Sequence, residues 1–239
     1  MTTTREPPKG HGTTSQPLWD LAAYPAAEVG RLVDLTPSRV RRWLKGYEYR
    51  YRAEVRHLDP VVQGSGPGPS SYASFLDLID LLFVKAFLDH GLSLQRIRKA
   101  LTEASQLLET PHFARKSFFT DGRDIYLKLR ERGGDIMQLL SGGQWVIAPI
   151  IVELAEQIDF ESSTGLARRW YPLGQNVPVV LDPAVSFGRP SVAGTGIATA
   201  NVFDFYSGEG ESVEKAANWH DISFAAVEAA VRFELRLAS

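Results

Sequence analysis

The stretch from residue 75 to 87 restricts the fold most. Phe75, Leu78, Ile79, Leu82, Phe83, Ala86 and Phe87 recur three and four residues apart. That period puts them on one face of a helix, which must be covered. Its limits are also written in the sequence. Gln63 to Ser70 is so rich in Gly and Pro that it can only be a loop, Ser74 is placed to cap the helix, and Gly91 stops it. With Leu76 and Leu81 added, the helix carries more apolar surface than one intrachain contact needs. This predicts a homodimer through residues 74–108, with Phe75, Leu76, Leu82, Phe83 and Phe87 at the seam. The alternative is that the middle of the chain covers this surface.

Ahead of this helix lie short, punctuated elements. Residues 1–23 are rich in Thr, Pro and Gly and read as a disordered leader. A short helix follows from Tyr24-Pro25 to Val33. Thr36 is then placed to cap a second helix, Pro37 suits its first position, and Gly46 ends it. Val40, Trp43 and Leu44 share the buried face, so Arg39, Arg42 and Lys45 point outward. From Tyr47 to Val55 aromatic and polar residues alternate, which predicts a strand.

Charge is distributed unevenly. The chain of 239 residues has a formal net charge of -2, yet residues 31–56 hold eight Arg or Lys against three acids. Residues 181–239 hold four against eight. This asymmetry points to two surfaces with different partners. The basic segment has the plan of a helix-turn-helix, whose second helix offers its start and outer face to the major groove. Arginine suits base edges there, because its fork matches guanine bidentately. The expected contacts to double-stranded DNA are Thr36, Ser38, Arg39, Arg41, Arg42 and Lys45. Arg50, Arg52 and Arg56, on or near the following strand, are expected to reach phosphates, and Tyr47, Tyr49 and Tyr51 to pack beside them.

Beyond Gly91, Ser93 caps a helix running to about Leu108. Residues 111–178 break into short strand candidates divided by Gly and Asp turns, among them Ile125 to Leu129, Ile136 to Leu140, Phe160, and Ala167 to Tyr171. Pro149 to Ile158 reads equally as helix or strand. The last piece, 179–239, holds three short helices at about Thr199 to Tyr206, Ser212 to Trp219 and Ser223 to Leu235. The expected fold is α+β. It comprises an N-terminal winged helix-turn-helix (24–73), a helical linker (74–110), a small, mostly antiparallel middle sheet and a small helical C-terminal domain.

The stretch Glu28-Val29-Gly30 through Thr36-Pro37 and Val40-Arg41-Arg42-Trp43 resembles the winged helix-turn-helix of MerR-family regulators. Phe75 to Ile79 and Leu92 to Leu101 resemble the helices that follow the wing in that family. The resemblance implies dimers on inverted-repeat DNA, Arg41 as the arginine of the recognition helix and Trp43 as its aromatic residue. The long Gly-Pro insertion departs from the family's compact wing. Leu181-Asp182-Pro183, Phe187-Gly188-Arg189-Pro190, Gly194-Thr195-Gly196-Ile197 and Ala229 to Glu234 look like a small helical domain of antitoxin-like proteins, which usually has Arg after Gly-Thr. Over roughly residues 24–237 the whole resembles an actinobacterial type of VapB antitoxin. That resemblance implies a PIN-domain ribonuclease toxin as partner and autoregulation of a shared operon. The acidic domain is expected to join the toxin contact, with Arg232 and Arg236 as candidates for its cationic part.

Little points to catalysis. The five histidines, at 11, 57, 90, 112 and 220, show no metal-ligand spacing, and there is no cysteine. His112 reads as structural. Asp121 and Asp124 fit a turn better than a carboxylate pair. Gly188, Gly194 and Gly196 lack the lysine and hydroxyl of a phosphate loop and are expected to permit tight turns. No enzyme activity, cofactor or metal is expected. No apolar run approaches the roughly 18 residues of a membrane span, and no signal peptide is read, so a cytoplasmic protein is expected. Two other functions fit the same residues: a stand-alone MerR-like regulator that senses a ligand through its middle domain, and a scaffold without DNA binding.

Overall fold

The structure, a computed structural model, describes residues 23–62, 72–108, 112 and 153–238. Expectations for the strands between 113 and 152, and for Asp121 and Asp124, lie outside the described residues.

The chain starts with β1 (Tyr24–Pro25) and α1 (Ala26–Val33). A turn closed by Leu35 N–H donating to Gly30 O (2.8 Å) leads into α2 (Pro37–Lys45). The turn is tight because residue 30 is glycine: a Cβ there would lie 2.4 Å from Leu35 O. Thr36 caps α2 as its position predicts, accepting from Arg39 N–H, and Pro37 opens the helix. Val29, Leu32 and Val33 of α1 meet the buried Val40 and Trp43 of α2. Gly46 then turns the chain with φ 73, where a Cβ would sit 2.2 Å from Leu58 O.

The alternating run after Gly46 is not one strand but a hairpin. β2 (Tyr47–Tyr51) and β3 (Glu54–Leu58) are antiparallel, with Tyr51 opposite Glu54 and Arg52-Ala53 as the turn. The alternation carries on through this two-residue turn, so period alone does not reveal it. Arg52 takes φ 57, a left-handed value uncommon outside glycine. After β3 the chain returns to α2, where the amides of Val61 and Val62 donate to Trp43 O. β4 (Tyr72–Ala73) pairs antiparallel with β1.

α3 (Phe75–Asp89) begins with a capping box. Ser74 Oγ accepts from Asp77 N–H (3.1 Å), and the Asp77 carboxylate accepts from Ser74 N–H (2.8 Å). α4 (Leu94–Leu108) follows, with Ser93 Oγ accepting from Arg96 N–H and with Ile97 and Leu101 buried. His112 is structural, as read: its Nδ1 lies 2.7 Å from Asp80 Oδ2, and both side chains are buried.

Farther along, β5 (Ile158–Phe160) and β6 (Ala167–Trp170) form an antiparallel pair. β7 (Val179–Val180) pairs with β8 (Ser191–Val192). Three helices end the chain: α5 (Thr199–Gly208), α6 (Val213–His220) and α7 (Phe224–Ala238). The described architecture is α+β, with several helices and small antiparallel sheets.

These parts share one main core. It joins α1, α2 and α3 to Leu154, Ile158 and Trp170, to Val179 and Leu181, and to Ala229 and Phe233 of α7. A second cluster, including Val202, Ala216, Val227 and Ala230, lies among α5, α6 and α7. The phenol of buried Tyr24 donates to Gly188 O (2.8 Å), 164 residues away. Asp182 ties the middle to the end by accepting from Arg169 Nε (2.6 Å) and from the amide of Ala184 (2.9 Å).

Candidate nucleic-acid interface

The nine residues expected at DNA lie on α2, its cap and the hairpin. Thr36, Ser38, Arg39, Arg41, Arg42, Lys45, Arg50, Arg52 and Arg56 are all exposed. Burial of Val40 and Trp43 orients α2, and it turns the cations outward by helical geometry. Thr36 Oγ1 and Ser38 Oγ, 3.2 Å apart, lie at the start of the helix. Aromatic rings steady the guanidinium groups. Arg39 lies 5.9 Å from the Trp43 ring and Arg42 lies 5.3 Å from the Tyr47 ring. At the hairpin tip, Arg52 and Arg56 stand 5.4 and 4.7 Å from the ring of Tyr51. Each such contact contributes about 0.5–1 kcal/mol at an exposed site and restricts a long side chain.

Strand register divides the hairpin arginines between two faces. Side chains alternate along a strand, and directly opposed residues share a face. Tyr49 is opposite Arg56, and Arg50 is opposite Val55. Arg56 therefore lies with Tyr47, Tyr49 and Tyr51, the face that meets Arg42 of α2. Arg50 lies on the reverse with Val55 and His57. Period-2 reasoning could have separated Arg50 from the tyrosines, but only pairing places Arg56 with them. Exposure of Val55 was also not read from sequence; its side chain is 60% exposed. Acids temper the charge little: Glu54 pairs with Arg56 at 3.4 Å, and both are well exposed.

The side chains expected at a dimer seam lie elsewhere. Phe75, Leu76, Phe83 and Phe87 are at most 3% exposed within the chain, and Leu82 is half-buried. The apolar stripe of α3 is therefore not a free surface. The physical reason is its position: α1, β4, α4 and β6 all pack on it.

The two C-terminal arginines differ. Arg236 is exposed but anchored: it donates to Pro172 O (3.3 Å) and lies 5.5 Å from the Phe233 ring, and partial burial lowers its pKa from the ordinary guanidinium value. Arg232 is exposed beside a shallow groove on α7. Gly188, Gly194 and Gly196 all have positive φ, which fits their reading as turn residues. Among the described residues, no cluster of three or more His, Cys, Asp or Glu could hold a metal ion, and no helix is long and apolar enough to cross a membrane.

Comparison with known proteins agrees with this architecture. A family described as a protein of unknown function, DUF433, matches residues 179–233, the segment from β7 into α7. The fold is similar to that of Rv2018 from Mycobacterium tuberculosis. That crystal structure superposes with a TM-score of 0.68 over 91% of this chain and 98% of its own, at 23% identity. The chain is also 26% identical over 196 residues to a Mycobacterium tuberculosis protein named "Putative antitoxin VapB45", covering 77% of this chain and 82% of that protein.

Proposed function

We propose that this chain is the antitoxin of a toxin–antitoxin pair. It binds and inhibits a cognate PIN-domain ribonuclease, and it represses their common promoter by binding operator DNA. α1, α2 and the β2–β3 hairpin act as a winged helix-turn-helix, with α2 in the major groove and the hairpin as the wing. The observation that carries the DNA half is the exposed cationic face of α2 and the hairpin, on a chain whose net charge is -2. The toxin half rests on the name of the similar mycobacterial protein and on the charge segregation in the sequence. Two copies are expected on an inverted repeat, joined by a surface other than the buried stripe of α3. No catalytic step is assigned to this chain.

The test has two arms. Co-expression of this chain with the ribonuclease from the adjacent reading frame should restore growth and yield a co-purified complex. Titration of promoter and scrambled duplexes across salt should show specific binding that weakens steeply as salt rises. A chain that neither captures the ribonuclease nor prefers its own promoter does not have this function. Specific DNA binding with no captured ribonuclease would instead favour the stand-alone regulator.

A further inference from the structure

The motif Phe187-Gly188-Arg189-Pro190 lies in the loop between β7 and β8. Ser186 and Phe187 both hold left-handed φ values there, although neither is glycine. Such strain persists only where the surroundings enforce it, and it gathers at functional sites. Here hydrogen bonds enforce it. Ser186 Oγ donates to Gly196 O (2.6 Å), Gly188 N–H to Val185 O (2.9 Å) and Arg189 N–H to Ser186 O (3.1 Å), while Pro190 O accepts from Thr199 N–H (3.0 Å). The braced loop presents an aromatic ring and a guanidinium group to solvent, since Phe187 and Arg189 are both exposed.

This loop stands at the start of α1. Tyr24, two residues ahead of the helix, donates its phenol to Gly188 O (2.8 Å). Glu28 of α1 is half-buried within the field of Arg31 and Arg189; burial raises its carboxyl, and the two guanidinium groups lower it. Two guanidinium groups against one carboxylate leave a net positive charge. Arg31 is exposed like Arg189, and among the described residues neither forms an ion pair. Exposed Ala27, Arg31 and Asp34 follow one another along one side of α1 and lead to exposed Thr36 at the opening of α2. In a helix-turn-helix the first helix crosses the DNA backbone while the second enters the groove. α1 has eight residues, so the loop lies roughly 12 Å from the opening of α2, or about three to four base-pair steps.

Charge and continuity select the occupant. Residues 181–239 hold four cations against eight acids, and Lys215, Arg232 and Arg236 lie on α6 and α7. Arg189 is the one set beside the DNA-binding unit. We propose that the Ser186–Arg189 loop is a further DNA contact on the duplex backbone flanking the α2 site, where Arg189 and Arg31 meet phosphates and Phe187 packs on the adjoining deoxyriboses. The proposal deepens the operator-binding reading and rests on it.

Arg189→Ala and Phe187→Gly test it in the full chain, with the promoter duplex as probe. Glycine adopts the left-handed φ freely, so Phe187→Gly keeps the loop and removes the ring. Arg189→Ala should lower the salt slope of binding by roughly one unit. Phe187→Gly should melt above the parent yet bind the promoter about tenfold more weakly, the weight of partly burying an aromatic ring. A merely structural Phe187 would not combine higher stability with weaker binding. On a duplex trimmed by about four base pairs at each flank, parent and variants should bind alike. If the parent does not prefer its promoter, operator binding itself fails. If the parent does and both variants match its affinity and slope on the long duplex, only the loop assignment is overturned. A Phe187→Gly chain that binds the promoter like the parent but loses the co-expressed ribonuclease would also overturn it and give the loop to the protein partner.

Discussion

Phe187 shows what a single residue can cost. Ser186 and Phe187 both hold left-handed φ values, 50 and 56, and the Phe187 side chain is 85% exposed. A non-glycine residue in that region costs about 1–2 kcal/mol, and no packing offsets it here. Phe187→Gly should therefore raise stability by about 0.5–1 kcal/mol after the unfolded-state entropy of glycine is subtracted, measured by urea melts. Tyr24 is the opposite case. Burial, reinforced by Glu28 and Asp182, raises its phenol well above the ordinary value of 10.0. The folded state thus keeps a proton that the unfolded state releases, and stability present below pH 10 is lost as pH rises above it. Tyr24→Phe should lose the hydrogen bond to Gly188 and also flatten this alkaline decline, read from melts between pH 8 and 11. An equally steep decline in Tyr24→Phe would assign it to other groups. On α2, Arg41→Ala and Arg42→Ala should each cost about 1–3 kcal/mol of operator affinity and relax one base pair per half-site. Parent-like operator binding by both variants would remove α2 from the recognition surface.

Among the elements, the α1–α2 turn and the hairpin decide the geometry of the basic face. Gly30→Ala places a methyl group 2.4 Å from Leu35 O, so backbone must move. The variant should lose on the order of 1–3 kcal/mol and bind DNA more weakly in proportion to its altered helix pair, as calorimetry beside a DNA titration would show. Trp43→Ala, at a side chain only 4% exposed, should cost about 3–5 kcal/mol as a core truncation and lose DNA binding only through unfolding. Strand register makes a sharper forecast for the wing. Arg56→Ala should reduce the salt slope of DNA binding by roughly one unit, on operator and random DNA alike. Arg50→Ala, on the reverse face, should leave the slope as it is. Equal slopes for the two variants would mean that the tyrosine face is not the one against phosphate.

At the scale of the whole chain, the continuous core predicts cooperative unfolding. α1, α3, β6 and α7 contribute to one cluster, and Tyr24 to Gly188 and Arg169 to Asp182 bond across it. Tryptophan fluorescence and far-ultraviolet circular dichroism should therefore follow a single thermal transition. Two separated transitions would show that the ends melt independently. Truncation at residue 178 should expose the apolar surface that Val179, Leu181, Ala229 and Phe233 cover.

Local chemistry was legible in the sequence wherever neighbours along the chain were sufficient. Thr36 and Pro37 set the start of α2, Ser74 the start of α3, and the 3.6-residue period located the three C-terminal helices to within a few residues. The outward display of Arg39, Arg42 and Lys45 followed from the same period. Asp77 as the second half of the capping box was not read, although its spacing from Ser74 held the signal. The tertiary structure alone decided what covers α3, because an apolar stripe looks the same whether its partner is a second copy or a segment ninety residues away. It alone placed Arg56 with the tyrosines and Arg50 behind them, since register depends on strand pairing. It alone decided that Val227, Ala230 and Phe233 of α7 are buried: apolar period records which side chains share a face, while burial depends on what the rest of the chain brings against it.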